Sequence, residues 1–219
     1  MSQQVKKEHY NERYDDMTRF ISYYYQANLA QKQNPKKILE IGVGNKTVSN
    51  YLKQQGFKVT TCDYAKDLNP DYVSDVRKLP FKDNSFDLIL CCEVLEHLPF
   101  KELEKALREI KRVSRDRSII SIPYFGYEIN FLFKFKGIQR IFGREIFDIL
   151  IKFPAFFKQK KFDGEHYWEM GYKKYSKKNI RKKLKKYFKI IEEIRPKIDT
   201  YHYYFILSSK QKEVQALSK

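Results

Sequence analysis

Four acidic residues and two glycines stand at or just beyond the ends of apolar segments, where the strands of a sheet would end. The acids are Glu40, Asp63, Asp75 and Glu93, and the glycines Gly42 and Gly44 follow the first acid in "ILEIGVGNKT". In open α/β sheets, ligands bind in the crevice at the carboxyl ends of the parallel strands. The placement of these residues therefore predicts one ligand-binding crevice that they share.

The glycine segment alone is compatible with three kinds of ligand. A phosphate-binding P-loop places a glycine directly before its lysine, whereas Asn45 precedes Lys46 here. A dinucleotide loop has a third glycine where Thr47 stands, although Asp63 follows at a suitable distance. S-adenosylmethionine carries no phosphate and needs only a tight turn. The glycine segment therefore argues against a phosphate-binding P-loop. It also weakens the interpretation as a dinucleotide-binding loop.

Apolar runs alternate with helical periodicity from residue 36 onwards. We predict strands at 36–43, 57–63, 71–76, 85–95 and 117–124, with helices at 47–56 and 101–114 between them. Such alternation is typical of an α/β protein with a doubly wound parallel sheet.

Both ends of the chain add helices to this core. Residues 7–33 are predicted to be helical, with one apolar side formed by Met17, Phe20, Ile21, Tyr24 and Leu29. Ser176 is the expected N-cap of a second helix, whose apolar stripe is Ile180, Leu184 and Phe188. The segments "KIIEEIRP" and "HYYFILSS" then predict two strands that must be antiparallel because their connection is short.

Residues 124–170 interrupt the alternation. In "GIQRIFGREIFDILIKFPAFF" the apolar residues recur at steps of three and four, which predicts an amphipathic helix. We therefore expect four parts: an N-terminal helical segment (1–34), a cofactor-binding core (35–123), a helical cap inserted after strand five (124–170), and a helix with a strand pair that completes the core (171–219).

Composition limits the setting of the protein. The 219 residues have a formal net charge of +17, concentrated towards the C-terminus. The three cysteines, Cys62, Cys91 and Cys92, lie in apolar runs without the spacing of metal ligands, so we expect reduced core residues and no metal. No apolar stretch is long enough to span a membrane and no signal peptide is evident, which indicates a cytoplasmic protein.

Several segments together resemble one known family. "LEIGVGNK", "TCDYA", "VSDVRKLPFKDNSFDLILCCEVLEHL" and "LREIKRVSRDRSIISIP" are similar to the class I S-adenosylmethionine-dependent methyltransferases, of the kind labelled methyltransferase type 11. The resemblance covers about residues 36–124. It implies a Rossmann-like, seven-stranded, mostly parallel sheet with an antiparallel last strand, and S-adenosyl-L-methionine as the cofactor.

The resemblance also implies roles for the matched residues. The two glycines would let the loop approach the cofactor, Glu40 would face the ammonium of its methionine moiety, Asp63 the ribose hydroxyls and Asp75 the adenine amine. The other expected cofactor contacts are Asn45, Tyr64, Val76, Glu93, Val94 and Leu95. Asn45 suits a left-handed backbone position. Lys46 stands where the family commonly has a third glycine, and its side chain must point either outward or to the cofactor carboxylate.

Methyl transfer from a sulfonium requires alignment, and it requires a general base only when the acceptor is a hydroxyl or a protonated amine. The candidates for catalytic contact are Glu93, His97, Tyr124 and His166, the last in "DGEHYWEMG". His9 and His202 have no supporting context.

The acceptor is the least determined part of the prediction. We expect transfer to an oxygen or nitrogen of a small molecule or of a glycan- or lipid-linked acceptor, with the cap available for contact at the inner face of the membrane. Two alternatives remain: an RNA or other macromolecular methyltransferase that uses the basic C-terminal helix, and a non-catalytic protein that binds S-adenosylmethionine. The oligomeric state is not predicted.

Overall fold

The computed structural model describes residues 7–10, 14–137, 139–143 and 146–210. Its strands are β1 (Lys37–Ile41), β2 (Lys58–Asp63), β3 (Tyr72–Val73), β4 (Phe86–Cys92), β5 (Ser114–Pro123), β6 (Gly126–Lys134), β7 (Ile146–Pro154), β8 (Lys189–Ile194) and β9 (His202–Ser208). Its α-helices are α1 (Met17–Lys32), α2 (Thr47–Gln54), α3 (Leu103–Val113), α4 (Gln139–Phe142) and α5 (Lys177–Lys185).

Seven of the strands form one sheet in the order β3-β2-β1-β4-β5-β9-β8. Strands β1 to β5 pair in parallel, whereas β9 runs antiparallel to both of its neighbours, β5 and β8. This confirms the predicted α/β sheet with an antiparallel last strand. Because β9 runs in the opposite direction, its first residues lie beside the carboxyl ends of the parallel strands, which is the edge where a ligand is expected.

Alternate residues of the central strands build two cores, one on each face of the sheet. Leu39 and Ile89 belong to the core on the side of α3 and α5. Their neighbours Ile38 and Leu88 belong to the core beneath α1 and α2. A strand covered on both faces must be apolar at every position, which explains the continuous apolar runs that predicted it.

The N-terminal helix buries a different face from the one predicted. Met17, Phe20 and Tyr24 are exposed, at 70%, 54% and 63% of their surface. The buried side chains include Ser22 and Gln26. Ser22 Oγ lies 2.9 Å from the hydroxyl of Tyr204, a fully buried residue in the centre of β9. The small and polar face is therefore the inner one, because the buried phenol requires a hydrogen-bond partner. Residues 11–13 of the predicted helix lie outside the described residues.

The predicted helical cap is wrong. Strands β6 and β7 form a separate antiparallel hairpin, and among the described residues of this region α-helix is limited to the short α4. The sequence of β7, "IFDILIKFP", is rich in β-branched and aromatic residues, which favour strands. Apolar residues stand on both faces of this strand. Some of them are therefore three or four positions apart in the sequence, which imitates the spacing of a helix, although the strand itself has a period of two. Ile138 of the predicted helix lies outside the described residues.

The two faces of the hairpin have opposite character. The inner face is polar: Asp148 binds Arg195 at 2.6 Å, and Lys152 pairs with Glu128 at 2.9 Å. The outer face consists of the cross-strand pairs Tyr127–Phe153, Ile129–Ile151, Phe131–Ile149 and Phe133–Phe147. Most of these side chains are about half exposed, Phe131 at 51% and Ile149 at 58%. We call these eight residues the apolar face of the hairpin.

The C-terminal predictions are confirmed. Ser176 caps α5 by accepting a hydrogen bond from the backbone N–H of Asn179, and Ile180, Leu184 and Phe188 are buried. The strand pair β8 and β9 is antiparallel. Among the described helices, none combines the length and apolar character needed to cross a membrane. The four-part division of the chain stays a prediction.

Replacement of Ser22 by Ala tests the inner face of α1. The variant removes a buried hydrogen bond to Tyr204 and should lower the free energy of unfolding by about 1 kcal/mol. In the matched control, Tyr24→Ser, an exposed side chain is changed on the same helix and the cost should stay below about 0.5 kcal/mol. Denaturant titration measures both, and a larger cost for Tyr24→Ser would contradict this orientation of α1.

Candidate functional site

A cleft of about 490 Å³ lies at the carboxyl ends of β1 and β4, beneath the beginning of α1. Its lining comes from three parts of the chain: the N-terminal segment with α1, the loop after β1 with the first turn of α2, and the end of β4. The residues are Tyr10, Tyr14, Arg19, Tyr23, Gln26, Glu40, Gly42, Val43, Gly44, Asn45, Thr47, Val48, Cys92 and Glu93.

The loop after β1 depends on Gly42. Its φ of +81° is in the left-handed region, and a Cβ at this position would lie 2.3 Å from Cγ2 of Val94, in the segment after β4. Gly44 also has a positive φ, +49°, and faces the ring of Tyr10. The two glycines let the backbone turn sharply between neighbouring loops.

Asn45 differs from the prediction for this loop, whereas the side chain of Lys46 takes one of its two expected orientations. Lys46, and not Asn45, adopts the left-handed conformation, with φ +65°. The Asn45 side chain instead accepts a hydrogen bond from the N–H of Thr47 and donates to the carboxylate of Asp15. The ammonium of Lys46 donates to the backbone carbonyl of Asn69 at 2.6 Å. The side chain of Lys46 therefore points out of the cleft.

Glu40 is the buried acid of the cleft. Only 5% of its surface is exposed, and its Oε2 atom has no hydrogen-bond partner among the described residues. Burial raises the pKa of this carboxyl to about 8, although a hydrogen bond from Ser49 acts in the opposite direction. A cationic group in the cleft would supply the partner that Oε2 lacks.

Asp63 connects the ends of β1 and β2. Its carboxylate accepts hydrogen bonds from the backbone N–H groups of Val43, at 2.7 Å, and Ala65, at 2.8 Å. Burial raises the pKa of Asp63 despite these bonds. Each carboxylate oxygen has a second lone pair, so these bonds leave Asp63 able to accept from a ligand hydroxyl.

Asp75 holds Arg77 at the end of the third strand. Nε of Arg77 donates to Oδ1 of Asp75 at 2.8 Å, and a second guanidinium nitrogen binds Oδ2. Burial alone would raise the pKa of Asp75, but the bonds and charge of Arg77 outweigh it and lower that pKa. Of the other predicted contacts in this region, Val76 and Leu95 are buried and Tyr64 is 43% exposed. The short range of β3, two residues, places Asp75 beyond the strand rather than within it.

Glu93 is the acid at the end of β4, and its backbone has φ +55°. The hydroxyl of Ser121 donates to its Oε1 at 2.6 Å. Its Oε2 faces Nε2 of His202 at 3.7 Å, and Nδ1 of His202 binds the buried carboxylate of Asp199. A chain of three titratable groups, Asp199, His202 and Glu93, thus ends in the cleft.

One family model matches the part of the chain that runs from β1 to β5. Residues 39–122 match the model described as a methyltransferase domain, and this segment is less than half of the chain.

Solved structures resemble this chain along most of its length. A protein of Pyrococcus horikoshii OT3 has a TM-score of 0.61 and 17% identity, covering 94% of this chain and 100% of its own. The 1,6-didemethyltoxoflavin-N1-methyltransferase of Burkholderia thailandensis, crystallised with 1,6-didemethyltoxoflavin and S-adenosylhomocysteine, has a TM-score of 0.57 and 17% identity, covering 90% and 80%. These similarities establish the shared fold.

A sequence relative matches a short segment only. An uncharacterized protein of Methanocaldococcus jannaschii is 48% identical over 44 residues, which are 20% of this chain and 18% of that protein. The aligned part is therefore less than a fifth of that relative.

The predicted catalytic candidates lie in two places. His97 and His166 are neighbours, with ring centroids 4.8 Å apart, beside the buried Glu96. Burial and the neighbouring His166 lower the pKa of His97. Tyr124 lies elsewhere, stacked edge-on against Tyr203 and 4.5 Å from the ammonium of Lys152. Trp168, two residues after His166, is fully buried.

Two groups of residues at or behind the cleft were not predicted from the sequence. The N-terminal segment contributes Tyr10, Tyr14 and Arg19, with the guanidinium 4.3 Å from the centre of the Tyr14 ring. No motif marks these residues. The position of His202 could have been predicted from the sequence, because it begins a strand that is expected to be antiparallel. In the structure this first residue pairs with Pro123 at the end of β5.

Replacement of Gly42 by Ala should disrupt the cleft. The new methyl group would overlap Val94 in addition to the strain of the positive φ, so we expect a loss of about 2–3 kcal/mol in the free energy of unfolding. Gly56→Ala is the matched control, because Gly56 has φ +89° with no atom within 4 Å of the added Cβ. It should cost about 1–2 kcal/mol. Equal losses in denaturant titration would contradict the contact with Val94.

Proposed function

We propose that this protein is an S-adenosyl-L-methionine-dependent methyltransferase that acts on an oxygen or nitrogen of a small-molecule or glycan- or lipid-linked acceptor. The observation that carries the proposal is the buried carboxyl group of Glu40 beside the glycine loop, whose Oε2 has no hydrogen-bond partner among the described residues. A ligand with a cationic end next to this loop would satisfy it.

The cleft has complementary charges for the amino-acid end of the cofactor. Glu40 lies in the cleft as the partner for an ammonium, and Arg19 lies in the same cleft with a guanidinium that can bind a carboxylate. No glycine-loop lysine takes part, because Lys46 is bound to Asn69. This pair of charges suits a zwitterion better than a phosphate and supports S-adenosylmethionine over a dinucleotide.

The nucleoside end would lie towards β2 and β3. Asp63 keeps free lone pairs for the ribose hydroxyls, and the backbone and side chains near Val76 and Leu95 offer an apolar wall for adenine. Arg77 already binds both carboxylate oxygens of Asp75. An adenine amine would therefore have to compete with Arg77 for Asp75.

Glu93 is the best placed of the predicted bases. It lines the cleft, and His202 stands behind it with Asp199. A carboxylate so placed could accept the proton of an acceptor hydroxyl or ammonium while the methyl group is transferred. His97 and His166 would contact the acceptor from the neighbouring side.

Binding of the cofactor should release a proton, which gives a direct test of Glu40. Its pKa of about 8 means that the carboxyl is mostly protonated at pH 7. A bound ammonium favours the ionised form, so we expect about one proton released per S-adenosylhomocysteine at pH 7 and little release at pH 9 or above. Calorimetry in buffers of different ionisation enthalpy measures the number of protons.

Glu40→Gln should abolish this proton release and weaken binding by about tenfold or more. Glu192→Gln, a change of an exposed glutamate on β8, should alter neither quantity. Binding by the natural protein without proton release would remove Glu40 from the ammonium site. Absence of any binding would refute the methyltransferase proposal itself, and transfer of labelled methyl groups to fractionated acceptors separates an enzyme from a non-catalytic binding protein.

The basic C-terminal helix supports an RNA acceptor less than its composition suggests. Arg181 is bound to Glu193, and both Lys183 and Lys186 are bound to Glu104. These pairs neutralise part of the charge that would otherwise contact phosphates. We therefore keep the RNA alternative second.

The apolar face of the hairpin favours an acceptor presented by a lipid surface. Four cross-strand pairs of apolar side chains are exposed there, while the polar face is turned to the protein. Lys134, Lys136 and Arg140 lie at the tip of the same hairpin, and the chain has a net charge of +17. This combination is typical of surfaces that rest on anionic membranes.

Sedimentation with lipid vesicles tests this surface. The natural protein should bind anionic vesicles more strongly than neutral ones, and Phe131→Ser with Ile149→Ser should remove most of the binding. Phe20→Ser with Tyr24→Ser is the matched control, since it removes two exposed aromatic residues from α1 and should leave binding unchanged. Equal loss in both double variants would show that the hairpin has no special part.

A further inference from the structure

Glu96 is a buried acid without a visible reason to be buried. It is fully inaccessible, and neither of its carboxylate oxygens has a hydrogen-bond partner among the described residues. A buried carboxyl group without such a partner is costly whether it is ionised or protonated, and the nearby acids Glu93 and Glu169 repel it when it is ionised. Some group that binds the carboxylate directly would remove this cost.

Two imidazoles face the same position. His97, His166 and Glu96 each offer one ligand atom, and the three atoms lie within 4.8 Å of one another. The distance from Nε2 of His166 to Oε1 of Glu96 is 4.0 Å. Ligand atoms around a metal ion stand about 3–4 Å apart, so small side-chain rotations would bring these three atoms to coordinating positions.

The other nitrogen of each imidazole is already bound. Nδ1 of His97 donates to the backbone carbonyl of Glu165 at 3.0 Å, and Nδ1 of His166 donates to the carboxylate of Glu169 at 3.1 Å. Metal-binding histidines use this arrangement, in which a carbonyl or carboxylate fixes the ring and leaves the opposite nitrogen for the ion.

The carboxylate that binds His166 is itself bound by a lysine. Glu169 is buried, and the ammonium of Lys160 binds its Oε1 at 2.6 Å and also binds Asp163 at 2.5 Å. The carboxylate that orients His166 is therefore itself held in place by an ammonium group.

We propose that Glu96, His97 and His166 bind a divalent transition-metal ion beside the cofactor cleft. Two imidazole nitrogens with one carboxylate oxygen suit Zn²⁺, Mn²⁺ or Fe²⁺ better than Mg²⁺ or Ca²⁺, which prefer oxygen ligands. Three protein ligands leave coordination positions for water or for another molecule.

If the proposed function is correct, the position of this metal site affects the choice of acceptor. Glu93, which lines the cleft, stands three residues before Glu96 in the sequence. An ion at the three ligands would face the acceptor side of the cleft and could bind an acceptor oxygen, lowering the pKa of its hydroxyl. The site therefore favours an oxygen acceptor over a nitrogen acceptor.

Metal binding can be measured without any acceptor. The full chain, prepared without a histidine tag and freed of metal with a chelator, is titrated with ZnCl₂ and MnCl₂ in a calorimeter, with MgCl₂ as the comparison. We expect one transition-metal ion per chain, with clearly weaker binding of Mg²⁺. Titration with Co²⁺ should give visible absorption bands of nitrogen and oxygen ligation, without the thiolate charge-transfer band that cysteine ligands produce.

Variants separate the ligands from their surroundings. His97→Ala, His166→Ala and Glu96→Gln should each weaken binding by about 100-fold or more, and Glu169→Gln by about 10–100-fold because it only orients His166. His9→Ala is the matched control, since His9 pairs with Glu165 and not with the ligand atoms, and its binding should match the natural protein. Circular dichroism checks that each variant is folded, and Co²⁺ spectra of the folded variants give a second readout.

Two results would overturn the site: no transition-metal binding by the natural protein, or binding that survives in both His97→Ala and His166→Ala. Calorimetry with S-adenosylhomocysteine keeps this outcome separate from the proposed function. Cofactor binding without metal binding would refute the metal site alone, and metal binding without cofactor binding would refute the methyltransferase proposal while the metal site stands.

Discussion

The close approach of two loops is the constraint on which the site depends. The loop after β1 passes so near Val94 that residue 42 can carry no Cβ, and its positive φ turns the chain into α2. Asp63 then holds the next residue, Val43, through its backbone N–H. The ends of three adjacent strands, β2, β1 and β4, are thereby locked together, and the cleft is the space that remains between them and α1.

The core could be predicted because its signal is local. A strand covered on both faces is apolar at every position, and an acid directly after it lies at the carboxyl edge wherever that strand stands in the sheet. Hence Glu40, Asp63 and Glu93 could be placed before any tertiary contact was known. The stripe of Ile180, Leu184 and Phe188 is equally local, since a helix with one buried side shows its period directly in the sequence.

The errors have a common cause, which is that exposure and burial were inferred from residue type. Phe20 and Tyr24 were assigned to the inner side of α1 because they are aromatic, although the inner side is the one that carries Ser22 for the phenol of Tyr204. In the hairpin, apolar residues on the solvent side added a false helical spacing to a strand. Both cases are long-range effects, and a single sequence does not show which face a distant partner needs.

The buried part of the site is acidic, whereas the molecule as a whole is basic. The chain has a net charge of +17, yet among the described residues the buried acidic and basic ones are Glu40, Glu96, Glu169, Asp199 and His202. Glu169 and Asp199 have partners, whereas Glu40 and Glu96 keep carboxylate oxygens without a hydrogen-bond partner among the described residues. Burial of an unpaired acid is unfavourable unless a cation joins it, and the ammonium and the metal ion proposed above would each be such a cation. Overall charge and site charge are independent properties here, and only the second one bears on the reaction.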